Sequence, residues 1–348
     1  MKQEEIRQLA LRTAAGLGKG LLKGAGFAGK TALKGAGAAG KMLLKSTAAG
    51  LKSLSRMDRK DLATIGCIAA AATAVPVFLL APGFATKEKK APFLRRNFAH
   101  RGLHSRDLTV PENSLKAFEL AAAAGYGIEL DVQLSRDGQV VVFHDAELER
   151  VCGVKGKVED LTFEELQELQ LLHTEEKIPL FTDALAVIRG RGPLIVELKN
   201  GKRNKELCEK TYEILKNYKG DYCIESFNPV IVSWFRKHAK EVFRGQLAAP
   251  VPEYEGEVNR FTAYLLSHTL LNFLSRPHFI AYKIGRRPPS VRFSCALGAM
   301  NVGWTSHEVR NERGRAAVIL NSTVRDWSTG TDTENDPSVM VKKRPFHG

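Results

Sequence analysis

The chain has 348 residues, with 52 Lys and Arg against 38 Asp and Glu and a formal charge of +14. That length suits one large domain with accessory segments, or two ordinary domains. The charge favours the first, because residues 1–96 hold 18 basic and 5 acidic residues while the remainder holds 34 and 33. A nucleic-acid enzyme would carry its positive patch and stacking aromatics on the folded domain that grips phosphates. Nucleic acid is therefore not the expected partner, and an anionic membrane surface suits the basic arm better. Five cysteines with no CxxC spacing are too few for a disulfide framework and read as apolar fillers.

Residues 1–60 form a basic, glycine-rich arm. Its lysines at 19, 23, 30, 34, 41, 45 and 52 alternate gaps of four and seven, an eleven-residue repeat. Eleven residues close three helical turns, so each position keeps its azimuth and the lysines form one narrow stripe. Leu21, Ala32 and Leu43 project opposite them, a shallow apolar face. Ten glycines between Gly16 and Gly50, each costing about 1 kcal/mol in a helix, leave the segment largely unfolded in water. An anionic surface would order it, each bound Lys contributing on the order of 1 kcal/mol. The competing interpretation is a flexible low-complexity linker.

Leu62–Thr86 is a run of 25 residues without a charge. It is long enough to cross a hydrocarbon core of about 30 Å, and it starts too far into the chain for a signal peptide. One transmembrane segment over 62–86 is expected, with Pro76 allowing either a kinked span or a hairpin. The alternative is a buried Ala-rich helix. Residues 87–96 read as a basic linker.

Short apolar runs then alternate with helical patterns. Strand-like runs fall at 97–100, 128–134, 140–144, 194–199, 222–226, 244–247, 279–282, 301–305 and 316–320. Helix signals follow Asn113, follow Thr162 and begin at Asn204. Alternation of this kind predicts a parallel α/β sheet, and eight or more repeats predict a TIM (β/α)8 barrel, over residues 97–325. Nine runs are one too many for eight strands. The turn-like "RDG" at 136–138 makes the second and third runs a local hairpin. The apolar stretch within 248–295 reads as a barrel helix, or as a helix lying on a membrane, and residues 326–348 as a disordered tail.

Barrel chemistry sits at the C-terminal strand ends, and the ionisable residues gather there. His100 and Arg101 follow the first run. Glu129 and Asp131 lie two apart on the second, hence on one face. His144 ends the third, and Glu197 and Lys199 lie near the end of the fourth. Three carboxylates from neighbouring strands suit a hard divalent cation. Arg101 and Lys199 suit a phosphate, and two histidines suit the proton transfers that phosphodiester cleavage requires. Taken singly, each residue has an ordinary explanation as a solvated strand edge or a hydrogen-bonded side chain. Several unused charges pointing into a barrel would cost too much for that explanation to serve for all.

The strings "AHRG", "PENSLKAFELAAAAGYGIELDVQLSRDGQVVVFHD", "LTFEELQEL", "IPLFTDAL", "IVELK", "ESFNP" and "GQL" occur in order between Phe98 and Leu247. They resemble the signatures of the glycerophosphodiester phosphodiesterase family, metal-dependent TIM-barrel hydrolases. The resemblance implies that His100 and His144 are the acid/base pair and that Arg101 and Lys199 hold the phosphate. It also implies that Glu129, Asp131 and Glu197 bind Mg²⁺ or Ca²⁺. Trp304 is similar to the family's aromatic residue beside the glycerol, and Asn113, after Glu112, matches a supporting residue at the mouth.

The implied reaction is hydrolysis of a glycerophosphodiester to glycerol 3-phosphate and an alcohol, in a protein anchored to a membrane near its N-terminus. The alternatives are a lysophospholipase D type activity on a diester that keeps an acyl chain, or an inactive membrane-organising barrel. After Trp304 the sequence departs from the family, since "AAVILNSTV" lacks the acid of the usual closing strand. The resemblance therefore leaves barrel closure open. For the arm, a peptide of residues 1–60 is expected to gain helicity by circular dichroism when mixed with anionic vesicles. An unchanged spectrum would remove its surface-binding role.

Overall fold

The structure is a computed structural model that describes residues 74–105, 107–306 and 315–320. Among the described residues there are nine strands: β1 (Arg96–Ala99), β2 (Gly127–Leu134), β3 (Val140–Val142), β4 (Leu194–Leu198), β5 (Tyr222–Ser226), β6 (Phe243–Ala248), β7 (Phe279–Lys283), β8 (Met300–Ser306) and β9 (Ala317–Leu320). Eight are parallel and run in the order β1-β2-β4-β5-β6-β7-β8-β9, and β9 returns to β1. The sheet is a closed TIM barrel. β3 stands outside the ring, antiparallel to β2, as the tight turn at 136–138 predicts.

Closure, left open by the sequence, is achieved by β9. Arg96, Asn97, Phe98 and Ala99 pair with Ala317, Val318, Ile319 and Leu320. A closing strand needs backbone pairing and alternating apolar side chains, which "AVIL" supplies without an acid.

Strand alternation sorts the core into two shells. Ile128, Leu130, Val132, Leu194, Val196, Leu198 and Ile224 face outward and pack against helix residues such as Phe118, Phe181 and Phe235. Phe98, Ile195, Cys223, Phe243, Phe279, Met300 and Ile319 fill the barrel interior. Two residues further along β1, β2, β4 and β5 the inward positions become His100, Glu129 and Asp131, Glu197, and Glu225. The barrel is thus apolar at its floor and ionisable at its C-terminal mouth.

Caps set the helix starts that frame this mouth. Ser114 Oγ accepts from the Ala117 N–H to begin the helix Leu115–Ala123. Asn113, where the sequence pattern placed the start, is thereby released for another partner. Thr162 and Glu165 form a reciprocal capping box on Phe163–Gln167, a shorter helix than its sequence pattern predicts. The apolar stretch after residue 260 resolves into the helices Arg260–Ser267 and Asn272–Ser275, followed by β7. It is barrel structure in its own right.

The segment expected to span a membrane over 62–86 is described only from residue 74. Its first part, like the arm and the tail, lies outside the described residues. Residues 74–80 are helical, but 81–86 are not, because Pro82 and Gly83 interrupt helical backbone bonding. Among the described residues no helix is long and apolar enough to cross a membrane. Residues 80–83 are instead fastened to the barrel. Arg276 donates to the Ala81 carbonyl at 2.9 Å, Ser294 to that of Leu80 at 2.8 Å, and the Gly83 N–H to Pro277 at 3.0 Å. These contacts lie on the N-terminal side of the strands, away from the ionisable mouth.

Gly245 is the inward position of β6 beside Glu225. A Cβ there would stand 2.1 Å from the Phe279 ring. Gly245→Ala is expected to destabilise the barrel by about 1–3 kcal/mol through overpacking, with Phe279→Leu in the same chain restoring part of the loss. Chemical denaturation of the single and double variants checks this.

Candidate active site

The mouth opens into a cavity of about 970 Å³. His100, Arg101, Glu129, His144, Glu197, Lys199 and Trp304 all line it, as the sequence predicts. Asp131 and Asn113 sit behind that wall, buried.

Glu129, Asp131 and Glu197 bring one carboxylate oxygen each within 4.8 Å of the others. The cause is strand geometry: Glu129 and Asp131 share a face of β2, and Asp131 is in register with Glu197 on β4. All three are buried. Burial, then the charges of Asp131 and Glu197, push the Glu129 carboxyl well above its ordinary range. Glu197 is also raised, by burial opposed by Lys199 and reinforced by Asp131. Burial would raise Asp131 as well, but Lys199, His144, Arg101 and the Asn113 amide hold it far down. Three buried oxygen donors placed in this way would suit a hard divalent cation, which replaces mutual repulsion by attraction.

Donors occupy the cluster's remaining sides. The Arg101 N–H gives 2.9 Å to Glu129 Oε2, and Asn113 Nδ2 gives 2.8 Å to Asp131 Oδ2. Lys199 Nζ stands 2.8 Å from Glu197 Oε1 and 3.3 Å from Asp131 Oδ1. Burial would lower the Lys199 ammonium, but Glu197 and Asp131 raise it, so it stays charged. Lysine has three N–H donors, which leaves one for an incoming anion. Arg101 adopts a left-handed backbone, φ 57°, a strain that occurs where function requires an orientation. Its Nη1 is fixed on Glu112 at 2.8 Å, while its buried Nε donates no hydrogen bond.

The two histidines stand in different surroundings. His100 Nε2 lies 3.9 Å from Glu129 Oε2, and its Nδ1 is buried without a partner. Burial first, then the Arg101 charge, lower its pKa to about 3, so the ring is neutral and able to accept a proton. His144 Nδ1 is held by Asp145 Oδ1 at 2.5 Å. That contact fixes the ring and leaves Nε2 as the free nitrogen. Gln133 donates 2.8 Å bonds to the Phe143 and Asp145 carbonyls, clamping the end of the β2–β3 hairpin that carries His144.

Some functional residues escaped the sequence analysis. Arg150 bridges Asp145 at 2.5 Å and Glu112 at 2.6 and 3.0 Å, closing a chain from His144 to Arg101. It sits on the four-residue helix Glu149–Cys152, and no local pattern distinguishes it. Glu225 on β5 is buried and lines the cavity. Its signal was present, since "YCIES" ends an apolar run in Glu as "LIVEL" does. On the far wall Trp304 Nε1 donates to the Ala248 carbonyl at 3.1 Å, and its ring meets Phe227 edge-on at 5.7 Å. Trp304 is therefore a wall of the pocket with its polar atom satisfied.

The profile of the Glycerophosphoryl diester phosphodiesterase family matches residues 100–311, more than half of the chain. A putative glycerophosphodiester phosphodiesterase of Bacillus subtilis is 33% identical over 238 residues, covering 66% of this chain and 93% of that protein. A glycerophosphodiester phosphodiesterase of Bacillus altitudinis is 37% identical over 152 residues, 40% of this chain and 61% of the relative. This chain thus spans less than two thirds of that relative's length. Among solved structures, a phosphodiesterase of Oleispira antarctica in complex with sn-glycerol-3-phosphate superposes with a TM-score of 0.54 at 24% identity, over 66% of this chain and 93% of that one. That likeness is one of fold.

The Glu112 carboxyl ties the site to stability. Burial would raise its pKa, but hydrogen bonds from Arg150 and the charge of Arg101 prevail and hold it at about 2. A lowered folded-state pKa stabilises above the unfolded value near 4.5 and loses that contribution as pH falls toward 2. Glu112→Gln is therefore expected to cost on the order of 3 kcal/mol at pH 7 and progressively less below pH 4.5. Urea denaturation at pH 7 and pH 3 checks this, and an equal difference at both would contradict it.

Proposed function

Since the chain belongs to the glycerophosphoryl diester phosphodiesterase family, we propose that it hydrolyses a glycerophosphodiester to glycerol 3-phosphate and an alcohol. The observation that carries this is the meeting of three buried carboxylates, a Lys, an Arg and two histidines at one mouth. The phosphate would sit against the remaining N–H of Lys199 and the Nε of Arg101, which faces Asp131 Oδ2 at 3.7 Å but makes no hydrogen bond among the described residues, two fixed positive donors matched to an anion. Trp304, Phe227 and Tyr254 give the opposite wall an apolar surface for the organic part.

Glu129, Asp131 and Glu197 would hold the divalent cation, Mg²⁺ or Ca²⁺. When bound it would supply positive charge to offset that developing on the phosphate in the transition state. The proton transfers belong to the histidines. His100, neutral because of burial and Arg101, accepts the proton of the attacking oxygen as the new P–O bond forms. His144, held through Nδ1 by Asp145, delivers a proton from Nε2 to the departing alkoxide oxygen as the old P–O bond breaks. Gln133 and Arg150 keep that hairpin end and its carboxylate in place.

A membrane setting is supported by the basic arm and by the uncharged run 62–86. The end of that run is fastened on the N-terminal side of the barrel.

The test is the purified full-length chain with glycerophosphocholine or a lysophospholipid, with and without EDTA, scoring glycerol 3-phosphate or lysophosphatidate. Turnover of glycerophosphocholine that EDTA abolishes is expected, with His100→Ala and His144→Ala each reducing it about 10²–10⁴-fold. Turnover of the lysolipid alone would favour the lysophospholipase D activity. Turnover of neither would leave a membrane-organising barrel.

A further inference from the structure

Glu225 is 1% exposed, at the inward position of β5 in register with Glu197. Asp131, Glu197 and Glu225 therefore form one row across β2, β4 and β5, with neighbouring strands about 4.8 Å apart. Buried polar atoms nearly always find a partner, yet Glu225 Oε2 has none among the described residues. A structural Glu in a barrel wall would be satisfied by a backbone N–H or a basic side chain. The nearby donors are committed elsewhere: Lys199 Nζ, whose charge reaches Glu225, donates to Glu197 and Asp131, Gln246 Nε2 is spent on the carbonyls of Ser226, Phe227 and Leu247, and Gly245 has no side chain.

Four of the trio's six carboxylate oxygens already accept hydrogen bonds. Glu129 Oε2 accepts from Arg101, both Asp131 oxygens face Asn113 or Lys199, and Glu197 Oε1 accepts from Lys199. Three partly engaged carboxylates suffice for an ion that keeps several waters and takes one or two carboxylates, which is the habit of Mg²⁺. They fall short of the six to eight oxygens at flexible distance that Ca²⁺ takes.

Building on the proposed cation site, we propose that Glu225 is a fourth carboxylate of that site and that it biases the site toward Ca²⁺ over Mg²⁺. The cluster within 4.8 Å contains only the trio. Glu225 joins it by turning its side-chain torsions toward the ion, and with no hydrogen bond on Oε2 the turn sacrifices nothing at that atom. Ligand charge count and site flexibility are what set Ca²⁺ affinity, and a Glu one strand away supplies both.

Titration calorimetry of the EDTA-stripped full-length chain with CaCl2 and with MgCl2 separately tests the assignment, beside Glu225→Gln and Glu225→Asp. Each variant is first shown by thermal melting to be as stable, without metal, as the parent. The expected result is a loss of Ca²⁺ affinity of at least about tenfold in both, with Mg²⁺ affinity changed less than about threefold. Unchanged binding of both ions by Glu225→Gln would overturn this role while leaving the trio as the cation site. An equal loss for both ions would overturn the selectivity. Failure of the parent chain to bind either ion would overturn the trio as a cation site, and the role of Glu225 with it.

Discussion

Mutual repulsion among carboxylates in a water-poor barrel mouth is the constraint around which the rest is arranged. Glu129, Asp131, Glu197 and Glu225 are all buried within neighbouring strands. Burial and like charge both oppose ionisation there. Lys199 offsets part of this from within the cluster, and Arg101 and Asn113 do so from the loop after β1. A group of acids with too few cations is unfavourable as a stability device. It is favourable as a receptor for a divalent ion and, beside Lys199 and Arg101, for a phosphate.

The barrel makes the crowding unavoidable. Parallel neighbours in register point their side chains the same way, so an acid at one C-terminal strand end meets an acid at the next. Beneath them Phe98, Ile195, Cys223, Phe243 and Phe279 pack the interior, which excludes water from the floor and strengthens every charge interaction above it. His144 enters differently. It rides on a hairpin outside the ring of eight, and Gln133, Asp145 and Arg150 together fix its position. Arg150 also grips Glu112, which grips Arg101. One ion-pair chain therefore couples the second histidine to Arg101.

The two ends of the barrel have separate duties. The mouth carries the ionisable cluster, and the opposite end receives residues 80–83, anchored by Arg276, Ser294 and Pro277.

Much of this was legible in the sequence. All nine strand-like runs are strands, and the surplus one is the hairpin partner of β2. Apolar alternation with acids at the strand ends is a local, period-two signal, and "AHRG", "IELDV", "FHD" and "IVELK" carry the site residues within it. The uncharged run shows the limit of hydropathy, which records the absence of charge and takes no account of Pro82 and Gly83, where the described helix has ended and residues 80–83 meet the barrel. Composition, periodicity and motif order determined the fold class, the two histidines and the three acids, since each depends on residues close in the chain. Only the tertiary structure decided that β9 closes the ring, that Arg150 links Glu112 to Asp145, and that Glu225 lies beside the trio with Oε2 free of hydrogen bonds among the described residues. Those facts depend on strand register and on contacts between residues far apart in the chain, which no local pattern encodes.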